Sequence, residues 1–118
     1  MEIPIALRRY FADSWLSVAE YKAEHRTLAV EIEKDIGPEK GIIRFVEVRF
    51  LSLPTSFNGE DIRAYPLAAA PGDFWMRGAS RDCLDGDETV FELLDQDVSQ
   101  SHFVAAKSIE YEILSDRS

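Results

Sequence analysis

From Thr27 onward the chain alternates between strand-like runs and short clusters of turn residues, and this punctuation limits the fold more than any other feature. Leu28, Val30 and Ile32 alternate with Ala29, Glu31 and Glu33, the period of a strand with one buried face. Gly37-Pro38-Glu39-Lys40-Gly41 interrupts that run. Ile42 to Leu53 is a long β-branched and aromatic stretch ended by Pro54, because proline cannot donate to a strand ladder. Asn58-Gly59 reads as a turn, Asp61 to Leu67 as a short strand, and Pro66 to Asp73 as a loop bounded by prolines. Phe74 to Leu84 reads as a strand with Gly78 as a bulge. Asp85-Gly86 then joins it as a hairpin to Glu88 to Leu94. After the polar turn from Asp95 to Ser101, Phe103 to Leu114 closes the set. Phe103, Ala105, Ile109, Tyr111 and Ile113 share one face, Lys107 has the same inward parity, and Glu110 and Glu112 lie opposite.

Short successive connections favour antiparallel neighbours. The expected fold is therefore mainly β (α+β): an N-terminal helix or helices, then a six-stranded antiparallel meander forming a curled sheet or small barrel. The N-terminal part reads two ways. Ser14 is placed to cap a helix, Ala19 to Arg26 is rich in helix formers, and Trp15, Val18, Tyr21, His25, Leu28 and Ile32 advance by threes and fours. This places a helix in roughly residues 4–25. The alternative is a strand from Trp15 to Lys22 pairing with Thr27 to Asp35.

A chain of 118 residues suits one domain, residues 1–118, and buries roughly two-thirds of the surface it exposes when unfolded. Its core has 13 aromatic residues to draw on. Cys83 is the only cysteine, so no internal disulfide forms. The N-terminal run is broken by Arg8 and Arg9, unlike a secretory leader, and no stretch has the length of a membrane span. The expected location is the cytoplasm. The net charge of −9 is uneven: residues 82–118 hold ten acids and two bases and so carry −8 of it. Such a field repels nucleic acid and anionic membrane and attracts basic partners.

The residues that carry chemistry do not assemble into a recognisable set. Cys83 and His102 lie at opposite ends of the expected strand between them, ~20 Å apart, too far for a nucleophile and its base. His25 and His102 do not form a close pair, and one cysteine cannot complete a zinc set. Asp82, Asp85, Asp87, Glu88 and Glu92 cluster around Gly86, but Cys83 interrupts the donor spacing of a calcium loop, and a solvated hairpin tip is expected. No phosphate-binding, dinucleotide, nucleophile-elbow or HExxH motif occurs. Arg63 and Tyr65 share one strand parity and Trp75 and Arg77 another. If those strands pair, the four side chains form one binding surface, since arginine stacks on aromatics and grips anions.

The function expected from these features is a non-catalytic binding or accessory module that acts through protein–protein contact. It has no cofactor or metal, its partner is a protein and a basic one fits best, and its binding residues are Arg63, Tyr65, Trp75 and Arg77. Two alternatives stand beside it: a small-molecule-binding barrel, and an acidic decoy or inhibitor of a basic protein.

Overall fold

The computed structural model describes residues 2–34 and 40–114. In chain order it contains α1 (Ile5–Phe11), β1 (Ser14–Lys22), β2 (Thr27–Lys34), β3 (Lys40–Ser52), β4 (Ser56–Pro66), α2 (Gly72–Met76), β5 (Thr89–Asp95) and β6 (Ser101–Leu114). The six strands are antiparallel and close a barrel in the order β1-β2-β3-β6-β5-β4, with β4 returning to β1. The mainly β architecture with an N-terminal helix is the one expected. Its connectivity is two three-stranded meanders. Residues 53–55 carry the chain from β3 to β4, which are not neighbours, and the Val18 amide anchors this crossing on the Thr55 carbonyl at 2.8 Å.

The N-terminal segment takes the strand alternative, not the long helix. α1 ends at Phe11, Ala12 is extended, and Asp13 turns the chain with φ of 58°. β1 then pairs with β2 from Ser14↔Lys34 to Lys22↔Thr27, and Arg26 (φ 51°) closes the hairpin. The helix-forming residues 19–26 lose to this pairing because local propensity is worth only tenths of a kcal/mol per residue. The partner strand's end at Asp35 lies outside the described residues, as does most of the Gly37–Gly41 break.

Two further segments differ from expectation. Phe74 to Leu84 is not a strand: α2 is followed by Gly78 (φ 102°) and one 3-10 turn at Arg81–Cys83. Asp85-Gly86 therefore makes a turn, with Gly86 at φ 104°, but no hairpin between two strands. The reason lies in what the segment covers. Phe74 is fully buried against Val90, Phe103 and Ala105, an apolar patch on the outside of the barrel, and Tyr65, Leu67, Trp75 and Leu84 complete the layer. Asn58-Gly59, expected as a turn, sits inside β4. Glycine is required there for close approach: a Cβ on Gly59 would lie 2.8 Å from the Phe11 carbonyl oxygen and 2.5 Å from Leu16.

α1 reaches the barrel core through Leu7, Tyr10 and Phe11. Arg8 grips Asp61 of β4 with bonds of 3.0 and 2.7 Å, and the Lys34 ammonium donates to the Arg9 and Ala12 carbonyls. Inside the barrel Leu16, Val30, Ile43, Phe45, Ile62, Phe91, Leu93 and Val104 are fully buried, and Phe45 and Phe91 meet edge to face at 5.4 Å. The expected single apolar face of β6 is split. Val104 and Ala106 join the interior, whereas Phe103 and Ala105 join the outer layer. The parity changes in both strands near Glu47, where φ is 54°: the pairs Phe45–Ile109 and Val48–Ala106 both face the interior, and the register of β3 itself shifts further on, between Val48 and Phe50. Lys107, expected to point inward, consequently lies among carboxylates.

Candidate functional site

The four residues expected to form a surface do not lie on paired strands. Arg63 and Tyr65 belong to β4, while Trp75 is in α2 and Arg77 immediately follows it. Tyr65 and Trp75 both pack on the outer apolar layer. Arg63 stands 3.5 Å from Asp61. Arg77 donates to the Ser101 carbonyl at 2.8 Å and to Gln100 at 3.3 Å, and so fastens α2 to the β5–β6 turn. Trp75 carries the Arg81 guanidinium 5.0 Å above its ring. The Tyr65 hydroxyl donates to Glu92 at 2.9 Å, and burial together with that carboxylate raises the phenol above its ordinary 10.0. Each arginine thus has its own protein partner.

His102 has a partner that the sequence reading missed. Its Nε2 is 2.9 Å from Asp95 Oδ2, both side chains are at most 10% exposed, and the Phe57 ring stands at 4.6 Å. The signal was present: Leu93 and Asp95 share one parity in β5, and His102 and Val104 share the other strand's inward parity. The other Asp95 oxygen accepts the Asp97 amide at 2.8 Å. The pair links the end of β5 to the start of β6 across their hairpin, with Phe57 packed against the imidazole. Cys83 is exposed and lies outside this group.

The acidic run folds onto its own cations. Asp85, Asp87 and Glu88 bring their carboxylates within 4.8 Å of one another. Glu88 accepts the amides of Asp85 and Gly86 at 2.7 and 2.8 Å. Lys107 Nζ stands 3.4 Å from Asp85, 3.5 Å from Asp87 and 3.4 Å from Glu47, and Arg49 reaches Asp85 at 2.9 Å. The hydrogen bonds to Asp85 and Glu47 hold the Lys107 ammonium above its ordinary 10.5. Lys107 and Arg49 are the cations that face this cluster among the described residues.

Among the open features of the described surface, three bear on binding. A groove of about 470 Å³ runs between the N-terminal segment, α1 and β4, and includes Arg8, Arg63 and Tyr65. A second groove, of about 330 Å³ and nearly wholly apolar, lies at the crossing from β3 to β4, between Val18, Tyr21, Leu51, Leu53 and Pro54. The third is a strand edge. β5 pairs with β6 only from Ser101 to Ala106, whereas β3 pairs with β6 as far as Leu114. Among the described residues, 107–114 therefore have a strand on one side only. Tyr111 and Ile113 on this stretch are 39% and 42% exposed, and Glu110 and Glu112 are exposed on its other face. Sequence reading assigned this strand and its acidic face, but an edge depends on where the neighbouring strand begins.

What the fold and its surface define is a six-stranded antiparallel barrel filled by its own side chains, with polar chemistry displayed on the outside. The chain matches no protein-family model, no curated protein and no solved structure. Among the described residues no helix is long and apolar enough to cross a membrane.

Proposed function

We propose that this protein is a non-catalytic module that works by protein–protein contact. The observation that supports this reading is the second half of β6, an unpaired strand edge bearing two exposed large apolar side chains, Tyr111 and Ile113. Exposed edges with apolar residues are the parts of a sheet that accept another chain. A cytoplasmic location belongs to the same proposal, in keeping with a lone, exposed cysteine that a reducing compartment leaves free. The small-molecule carrier is the weaker reading, because the interior positions a ligand would need hold Phe45, Phe91, Ile62 and Val104, all fully buried.

The test is a pull-down from native lysate with the whole chain as bait, proteins and small molecules being identified together. A Tyr111→Ser/Ile113→Ser double variant serves as the control bait. A protein retained by the wild type and lost by the variant supports the module. Recovery of a small molecule alone, in equal amount on both baits, overturns it.

A further inference from the structure

We infer that the open edge of β6 takes an extended segment of a basic protein as an added strand, with lysine or arginine alternating with apolar residues. This deepens the protein-contact reading and rests on it. The edge spans residues 107–114, ~27 Å of strand at ~3.4 Å per residue, long enough to hold a full strand of a partner. Among the described residues, no backbone hydrogen bond joins residues 107–114 to an element other than β3. Alternate amides and carbonyls there are consequently free to pair with an incoming chain.

The side chains determine which chain fits. Ile109, Tyr111 and Ile113 fall on the side of β6 that faces the barrel interior, through their pairing with Phe45, Ile43 and Gly41. An added strand would extend that row with its own apolar residues. Glu110 and Glu112 alternate with them on the outer face. Arg44 is the nearest cation, 4.0 Å from Glu112, and it leaves that carboxylate 59% exposed. Opposite charges directly across a strand pair stabilise it and like charges destabilise it.

The same rule argues against a second copy of this chain. If two β6 edges pair antiparallel about Tyr111, each Glu110 faces Glu112 of the other copy. If they pair about Glu110, the two Glu110 side chains face each other. In these two registers, which centre the pairing on the acidic stretch and keep the apolar row on one side, carboxylate meets carboxylate. A strand with cations at those positions removes the conflict, and it also suits the charge of −8 carried by the C-terminal third.

The test uses fluorescence anisotropy with labelled octapeptides and the full-length protein. The probe alternates Lys and Val. Three controls alternate Glu and Val, alternate Lys and Ser, or carry the Lys/Val sequence with every amide N-methylated. The Lys/Val peptide is expected to bind with an affinity that falls as salt rises, and each control at least about tenfold more weakly. A Glu110→Lys/Glu112→Lys variant should invert the preference towards the Glu/Val peptide, and Glu110→Gln/Glu112→Gln should abolish it. The Gln pair keeps the test decisive if the Lys pair fails to fold. Equal binding of the N-methylated peptide, or a preference unchanged in the Gln variant, overturns the inference. A lysate partner retained by the Gln variant but lost by Tyr111→Ser/Ile113→Ser leaves the protein-contact reading standing and rejects only the basic-strand chemistry. Loss of neither rejects both.

Discussion

Residues 103–106 of β6 have a strand on each side and an apolar layer on each face, whereas among the described residues 107–114 have one strand neighbour, with solvent on much of the surface of 110–113. In the first half five consecutive residues, His102 to Ala106, are buried. Val104 and Ala106 fill the barrel, and Phe103 and Ala105 support the layer that α2 covers. In the second half Ile109, Tyr111 and Ile113 are only partly covered, and the acidic Glu110 and Glu112 alternate with them. One continuous strand therefore serves as structural centre and as exposed edge, and the division falls where β5 begins. A closed barrel removes edges only over the stretch where every neighbour is present.

The largest effect that would challenge this comparison belongs to Phe103. It is fully buried in the outer layer, in edge contact with Phe74 at 5.7 Å. Phe103→Ala should cost ~3–5 kcal/mol, and chemical denaturation measures it. A loss below ~1 kcal/mol would mean that the outer layer is not a second core. Next is Gly86, in the turn that leads to β5 and brings Asp85 to Lys107. Its φ of 104° strains a β-branched residue, so Gly86→Val should lower stability by about 1 kcal/mol or more, seen as a lower melting temperature. Unchanged melting would show that the turn does not hold this conformation.

Tyr111→Ser tests the second half of the strand directly. With the side chain 39% exposed, it should cost under about 1 kcal/mol while partner binding falls. A cost near that of Phe103→Ala would erase the distinction between the halves. The smallest effect sits at the junction. The Lys107 pKa is raised in the folded state, so its contribution is complete below 10.5 and is lost as pH rises through the higher folded value. The difference in melting temperature between wild type and Lys107→Met should stay level from neutral pH to about 10.5, shrink as pH rises from there to the folded value, and be lost above it. A difference that persists at higher pH would show that the ammonium contributes through packing and not through charge.

Much of the barrel can be read directly from local pattern. The alternation in β2 and the long β-branched run of β3 each appear as strands within a residue or two of their expected limits. The misread segments are those whose residues serve a distant surface. Trp15, Val18 and Tyr21 are spaced for a helix, but pairing with β2 determines their conformation. Phe74 and Trp75 are adjacent because α2 lays them on the outer layer, an arrangement that a strand of alternating sides cannot provide. The candidate edge was half legible. Its acidic and apolar faces were assigned, but its openness was not.

The sequence by itself determined the strand-rich composition, the turn positions at residues 95–101, the acidic C-terminal third and the absence of a disulfide, because each depends only on neighbouring residues or on counting. The tertiary structure alone decided the β3-to-β4 crossing, the plug formed by α1, the Asp95–His102 clasp and the length of the unpaired β6 edge. These arise from register between segments far apart in the chain. Register is chosen by the packing of all six strands together, so no short window of sequence contains it.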